Sequence, residues 1–87
     1  ITSTGAADAS KSFIISNSAT PVTISVADGT TVGEYKIFTN KNAGAATITP
    51  ANFGPGTSIG LDNNEGCQMI WDGTNWQLIG NNGGTVS

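Results

Sequence analysis

Apolar and polar residues alternate at every second position along most of this chain, and turn-forming residues interrupt the alternation at intervals of about 8–12 residues. Val22, Ile24 and Val26 alternate with Thr23 and Ser25, the pattern of a strand with one face buried. Asp28-Gly29 follows as a turn, because both residue types tolerate positive φ. Phe13-Ile14-Ile15, closed by Asn17 and Ser18, predicts an earlier strand, and Tyr35 to Thr39 a later one. Asn40 to Gly44 is rich in turn residues. Ala46, Ile48 and Pro50 then alternate with Thr47 and Thr49 in a strand that Pro50 ends. After a loop from Ala51 to Gly56, in which Phe53 is a candidate anchor, Ile59 and Leu61 mark a short strand, and Asp62 to Gly66 turns the chain. Cys67 to Trp71 and Trp76 to Ile79 flank Asp72 to Asn75 as a hairpin, while Gly80 to Gly84 is too polar and glycine-rich to predict regular structure. No apolar period of 3.6 residues persists long enough to predict a helix.

This reading predicts an all-β fold of about seven short, mainly antiparallel strands, arranged as a small sandwich, barrel or prism. Residues 1–12 are expected to form a flexible arm or linker and residues 13–87 a single β-domain. The last hairpin differs from the rest. Met69 and Trp71 point one way and Ile70 the other; across the turn Trp76 and Leu78 point one way and Ile79 the other. Apolar residues on both faces imply that both faces are covered. A subunit interface would cover the second face, so Met69, Ile70, Trp71, Trp76, Leu78 and Ile79 are the candidate interface residues.

Composition strengthens the expectation of self-association. The chain has 87 residues, enough for one domain, and 22 sizeable apolar side chains. Cys67 is its only cysteine, so no internal disulfide braces that thin core. Small domains in this position often gain stability by oligomerising. Long edge strands with almost no lysine would also be prone to aggregate unless paired. The net charge of −3, with three lysines and no arginine, argues against binding nucleic acid, where phosphates must be neutralised. No apolar run approaches the length of a membrane helix, and no membrane insertion is expected. A chain that opens on Ile1 reads as a piece of something longer.

Candidate chemistry is sparse. With no histidine and one cysteine, histidine-dependent triads, Cys–His pairs and Cys/His zinc sites have no residues to build them. Asp62, Glu65 and Asp72 are the only plausible carboxylates for acid–base hydrolysis, yet they sit in turns where Asp and Glu serve backbone geometry. Asp62 to Gly66 lacks the ligand spacing of a calcium loop, and neither Gly54-Pro55-Gly56 nor Gly80 to Gly84 carries the Lys-Ser/Thr of a phosphate loop. Trp71 and Trp76, with Asp72, Asn75 and Gln77 beside them, are a candidate sugar-stacking platform, although cross-strand aromatic pairs more often stabilise a sheet. Cys67 reads as a small buried hydrophobe. No catalytic residue, metal site or cofactor is expected.

Three runs carry a family resemblance: Asp28-Gly29-Thr30-Thr31-Val32-Gly33-Glu34-Tyr35-Lys36-Ile37, then Ala46 to Phe53, then Ile70-Trp71-Asp72-Gly73-Thr74-Asn75-Trp76-Gln77-Leu78-Ile79-Gly80-Asn81-Asn82-Gly83-Gly84. Over Thr20 to Ser87 the chain resembles β-rich domains of tailed-phage virion proteins, such as the head decorations, head fibres and tail-fibre tips of marine phages and cyanophages. The resemblance implies a homotrimeric structural module on the virion surface, beside other virion proteins, with no catalytic residues to carry over. The alternative it leaves open is a fibre-tip module that binds a host receptor or surface glycan through Trp71, Asp72, Asn75 and Trp76, with Phe53 as a further anchor.

Overall fold

The computed structural model describes residues 1–87. It contains nine strands: β1 (Gly5–Ala6), β2 (Phe13–Ser16), β3 (Val22–Val26), β4 (Tyr35–Asn40), β5 (Ala46–Pro50), β6 (Ile59–Leu61), β7 (Gly66–Trp71), β8 (Trp76–Asn82) and β9 (Thr85–Val86). They form a five-stranded sheet in the order β1-β3-β5-β6-β9 and a four-stranded sheet in the order β2-β4-β7-β8. The all-β class and the seven longer strands match the sequence pattern. The two additional strands, β1 and β9, are two residues each and too short for any alternation to show.

Both sheets are mixed rather than mainly antiparallel. The pairs β1–β3, β2–β4 and β3–β5 are parallel, and the other four are antiparallel. The cause is a crossing between sheets after every early strand, which returns the chain in the same direction. Val22 lies beside Ala46 and Phe13 beside Ile37, so both sheets advance by 24 residues per coil. The hairpins β5–β6 and β7–β8 then close the fold in antiparallel fashion. Gly80 to Asn82, expected to be irregular, extends β8: Gly80 pairs with Gln68 and Asn81 with Cys67. Backbone pairing at that edge needs no apolar side chain.

The sheets face each other across one core. Val22, Ile24 and Val26 of β3, Ala46 and Ile48 of β5, and Ile59 and Leu61 of β6 meet Ile14, Phe38, Cys67, Met69, Trp71 and Trp76 of the opposite sheet. Each large aliphatic side chain so buried stabilises the fold by about 1.5–3 kcal/mol. Thr23, Ser25, Thr47 and Thr49 point outward from the five-stranded sheet, whose outer face is thus lined with hydroxyls, as the alternation predicts.

The four-stranded sheet behaves differently. Its inward set includes Ser16, Lys36 and Asn40, all buried. Lys36 Nζ donates to the carbonyls of Lys11 at 2.6 Å and of Asp8 and Ala9 at 3.3 Å. Asn40 Nδ2 donates to the carbonyls of Gly44 and Leu61, both at 2.9 Å, and its Oδ1 accepts from the Asn42 amide at 3.2 Å. Lys36 and Asn40 are tolerated inside because they are hydrogen-bonded, and they fasten loops to the sheet, whereas the buried Ser16 hydroxyl has no partner.

Residues 1–12, expected to be a loose arm, run along the domain. Ile1 packs against the core, its ammonium donates to Ile15 O at 2.6 Å, and its carbonyl accepts from Asn17 N at 2.7 Å. Ala7 N bonds Ser25 O, and Lys36 holds the turn at 8–11. Trypsin cleavage after Lys11 is therefore expected to be slow in the native chain. In Lys36→Met it should accelerate relative to cleavage after Lys41, as followed by mass spectrometry of the fragments.

The coils also touch through their turns. Gly44 N donates to Ser18 O at 2.9 Å, and a Cβ at Gly44 would overlap the carbonyl oxygen of Thr20. Gly44→Ala forces the two turns apart and is expected to cost about 1–3 kcal/mol, read as a lowered urea midpoint.

Candidate interaction face

The hairpin that drew attention in the sequence forms as expected, with Trp71 opposite Trp76. Asp72 builds its turn: Oδ1 accepts from the amides of Thr74 at 2.8 Å and Asn75 at 2.7 Å, and Oδ2 from Gln77 Nε2 at 2.9 Å. Gly73 takes a φ of 101°, where other residues would be strained. The two indoles lie 5.4 Å apart, tilted by 59°, and Trp76 Nε1 donates to Ala27 O at 3.0 Å. Gly29 presses on the Trp71 ring so closely that any side chain there would collide with it.

This packing corrects the assignment of several candidate residues. Met69, Trp71 and Trp76 are 0, 6 and 0% exposed and fill the chain's own core. They are closed off from a partner subunit, and neither ring is open for a sugar to stack on. Leu78 is half-buried against the same core. Phe53 is also buried, its loop bound to β8 by Trp76 N donating to Asn52 O and Gly54 N to Trp76 O. With the indoles turned inward, Asp72 is exposed and Asn75 half-buried, but they flank no aromatic platform. The second sheet of the same chain covers the inner side of the hairpin and leaves its other side open.

Ile70 and Ile79 point to the other side. Ile70 is half-buried and Ile79 is 54% exposed at a β-bulge where β8 carries one residue more than β7. The register sets further apolar side chains beside them. Phe13 lies next to Ile37, Ile37 next to Gln68, Gln68 next to Gly80, and Tyr35 next to Ile70. Phe13, Ile15 and Tyr35 are exposed and Ile37 is half-buried. The outer face of β2-β4-β7-β8 thus carries a set of apolar side chains interspersed with Thr39, Gln68 and Gln77, and none of its outward strand residues is charged. Sequence reasoning found only the β7–β8 part of it. The missed signal was in β4, where Tyr35, Ile37 and Thr39 alternate with a buried lysine and asparagine, so the apolar set faces out.

One open groove of about 370 Å³ lies on this face, lined by Ile37, Thr39, Gly66, Gln68, Gly80 and Asn82 together with intervening backbone. The two glycines make the hollow, since they leave the sheet without side chains there.

Four of the six carboxylates brace turns, that of Asp28 holds Asn52, and that of Asp62 accepts no hydrogen bond. Asp8 binds the Ser10 hydroxyl and amide, Glu34 the amides of Thr30 and Thr31, Glu65 the amide of Asp62, and Asp28 the Asn52 amide group. Hydrogen bonds from Ser10, Thr30 and Asn75 respectively lead in holding the Asp8, Glu34 and Asp72 carboxyls below their ordinary values. These are the marks of capped turns, and no three acidic or cysteine side chains converge to hold a metal ion. No helix is long and apolar enough to cross a membrane. No protein-family model and no curated protein matches the chain.

Cys67 is buried, and desolvation pushes its thiol up to about 11 from 9.0. A folded value above the unfolded one means that the stability contributed is complete below pH 9 and is lost as pH rises through 11. Two outcomes are expected: negligible labelling by a thiol reagent at pH 8 in the native state, and a fall in thermal midpoint above pH 9 that Cys67→Ala reduces.

Proposed function

We propose that this chain is a non-catalytic, self-associating β-module whose work is mechanical, holding polypeptide surfaces together. Its setting, by the resemblance of residues 20–87, is the surface of a tailed-phage particle, as a capsid decoration or fibre module. The resemblance implies an assembly of three copies.

The observation that carries this reading is the set of apolar side chains on the uncharged outer face of β2-β4-β7-β8. The five-stranded sheet supplies an internal comparison. Its outer face follows the usual rule and shows water threonines and serines, whereas the four-stranded sheet shows phenylalanine, tyrosine and isoleucine among Thr39, Gln68 and Gln77. Covering this face removes apolar area from water, and nothing charged has to be desolvated to do so. The reading is also consistent with most of the carboxylates being committed to turns and with a cysteine kept protonated by burial.

Sedimentation equilibrium at micromolar to hundred-micromolar concentration tests the proposal. A closed oligomer is expected, and a chain that stays monomeric across the range would sink it. A density map of a particle bearing the protein, with the module found on the outer surface, would locate it as proposed.

A further inference from the structure

We propose that the outer face of the four-stranded sheet pairs with the same face of a second copy across a two-fold axis parallel to the strands, each Phe13 seating over the hollow at Gly80 of its partner. This rests on the self-association proposed above and specifies the surface, the symmetry and the contacts. It favours two copies per contact over the three that the resemblance implies.

The geometry comes from the cross-strand rows. Reading from β2 to β8, one row runs Phe13, Ile37, Gln68, Gly80, from an exposed aromatic ring to no side chain at all. The next runs Ile15, Thr39, Gly66, from a large side chain to none, with Asn82 of β8 lining the far side of the hollow. Thus in these two rows the β2 side of the face is a ridge and the part around Gly66 and Gly80 is a hollow, while Tyr35, Ile70 and Gln77 fill the row beyond. A two-fold axis along the strands reverses strand order and keeps height along the strand. It therefore brings the ridge of each copy over the hollow of the other, Phe13 over Gly80, Ile37 over Gln68 and Tyr35 over Ile70. A two-fold interface must be self-complementary in this way.

Size and charge agree. A cavity of roughly 150 Å³ admits a benzene ring, and the hollow measures about 370 Å³. Four strands about 4.8 Å apart and about 20 Å long span roughly 400 Å² per copy before side-chain relief is counted. Two such faces give roughly 800 Å² of flat sheet, to which the exposed Phe13, Tyr35 and Ile79 side chains add, toward the roughly 1,000 Å² of a small specific interface. Each copy carries a net charge of −3; the outward residues of these strands are uncharged, and Glu34, Glu65 and Asp72 sit at the strand ends, on the rim of the contact. Paired sheets of this kind pack about 10 Å apart with their strands nearly aligned.

Gly80→Val is the decisive variant. A Cβ at Gly80 meets only the Gln68 side chain, at 3.5 Å, so the monomer accommodates it while the hollow is filled. The dimer dissociation constant is expected to rise at least about tenfold by sedimentation equilibrium, with an unchanged circular dichroism spectrum. Val32→Ser, at an exposed loop position away from the face, should leave it unchanged. In a second measurement, Phe13→Cys combined with Gly80→Cys should give a disulfide-linked dimer, whereas Phe13→Cys alone should not. A monomeric native chain would overturn both this inference and the self-association on which it rests. A native oligomer that Gly80→Val leaves intact, or one that is strictly trimeric, would overturn the inference alone.

Discussion

The 24-residue step between coils is the constraint on which the rest of the structure depends. It sets Ile48 beside Ile24 in one sheet and Phe38 beside Ile14 in the other, so each apolar side chain stacks on its counterpart one coil earlier. The turns stack as well, and the glycine at position 44 exists because the Thr20 carbonyl of the preceding turn fills the space of a side chain. Once the coils are in register, the inward residues of both sheets form one core, and the final hairpin places Trp76 in it with no exposed surface.

That step also explains the polar groups inside. Where a strand of the four-stranded sheet reaches the end of the sandwich, the inward residue meets loop backbone instead of another sheet. Lysine and asparagine serve there better than an aliphatic residue, since Lys36 gathers three carbonyls of residues 8–11 and Asn40 ties the 41–44 turn to β6. A slip of one residue in β4 would exchange the two faces, burying Tyr35 and Ile37 and exposing Lys36. The hydrogen bonds to Lys36 and Asn40 oppose that slip. By holding this register, the chain leaves aromatic and aliphatic side chains on the outside.

Much of the architecture was legible in the residues. The seven longer strands, the Asp72 to Asn75 turn and the buried character of Cys67 follow from alternation and turn chemistry, which act over a few residues. The parallel pairing was also written in the chain, although local patterns do not display it. Residues 13–36 and 37–60 repeat each other at a distance of 24, with Ala19 and Ala43, Thr23 and Thr47, Ile24 and Ile48, Ala27 and Ala51, and Asp28 and Asn52 in matching places. A search for internal repeats would have found the coil. The candidate site was only half visible. Ile70 and Ile79 belong to the outer face, but Trp71, Trp76 and Met69 do not, because alternation tells which residues share a side and cannot tell which side is inside.

By itself, then, the sequence determined that the chain is all-β, where its longer strands and its main hairpin lie, and that it lacks the histidines and cysteine pairs of common catalytic and zinc sites. Those properties depend on residue type and on neighbours within a few positions. Only the tertiary structure decided that the sheets are two and mixed, that the tryptophans face the core, and that Phe13, Ile15, Tyr35 and Ile37 share one exposed face with Ile70 and Ile79. The inside of a sheet is defined by what packs against it, and here the packing partner is a second sheet whose strands come from distant parts of the chain.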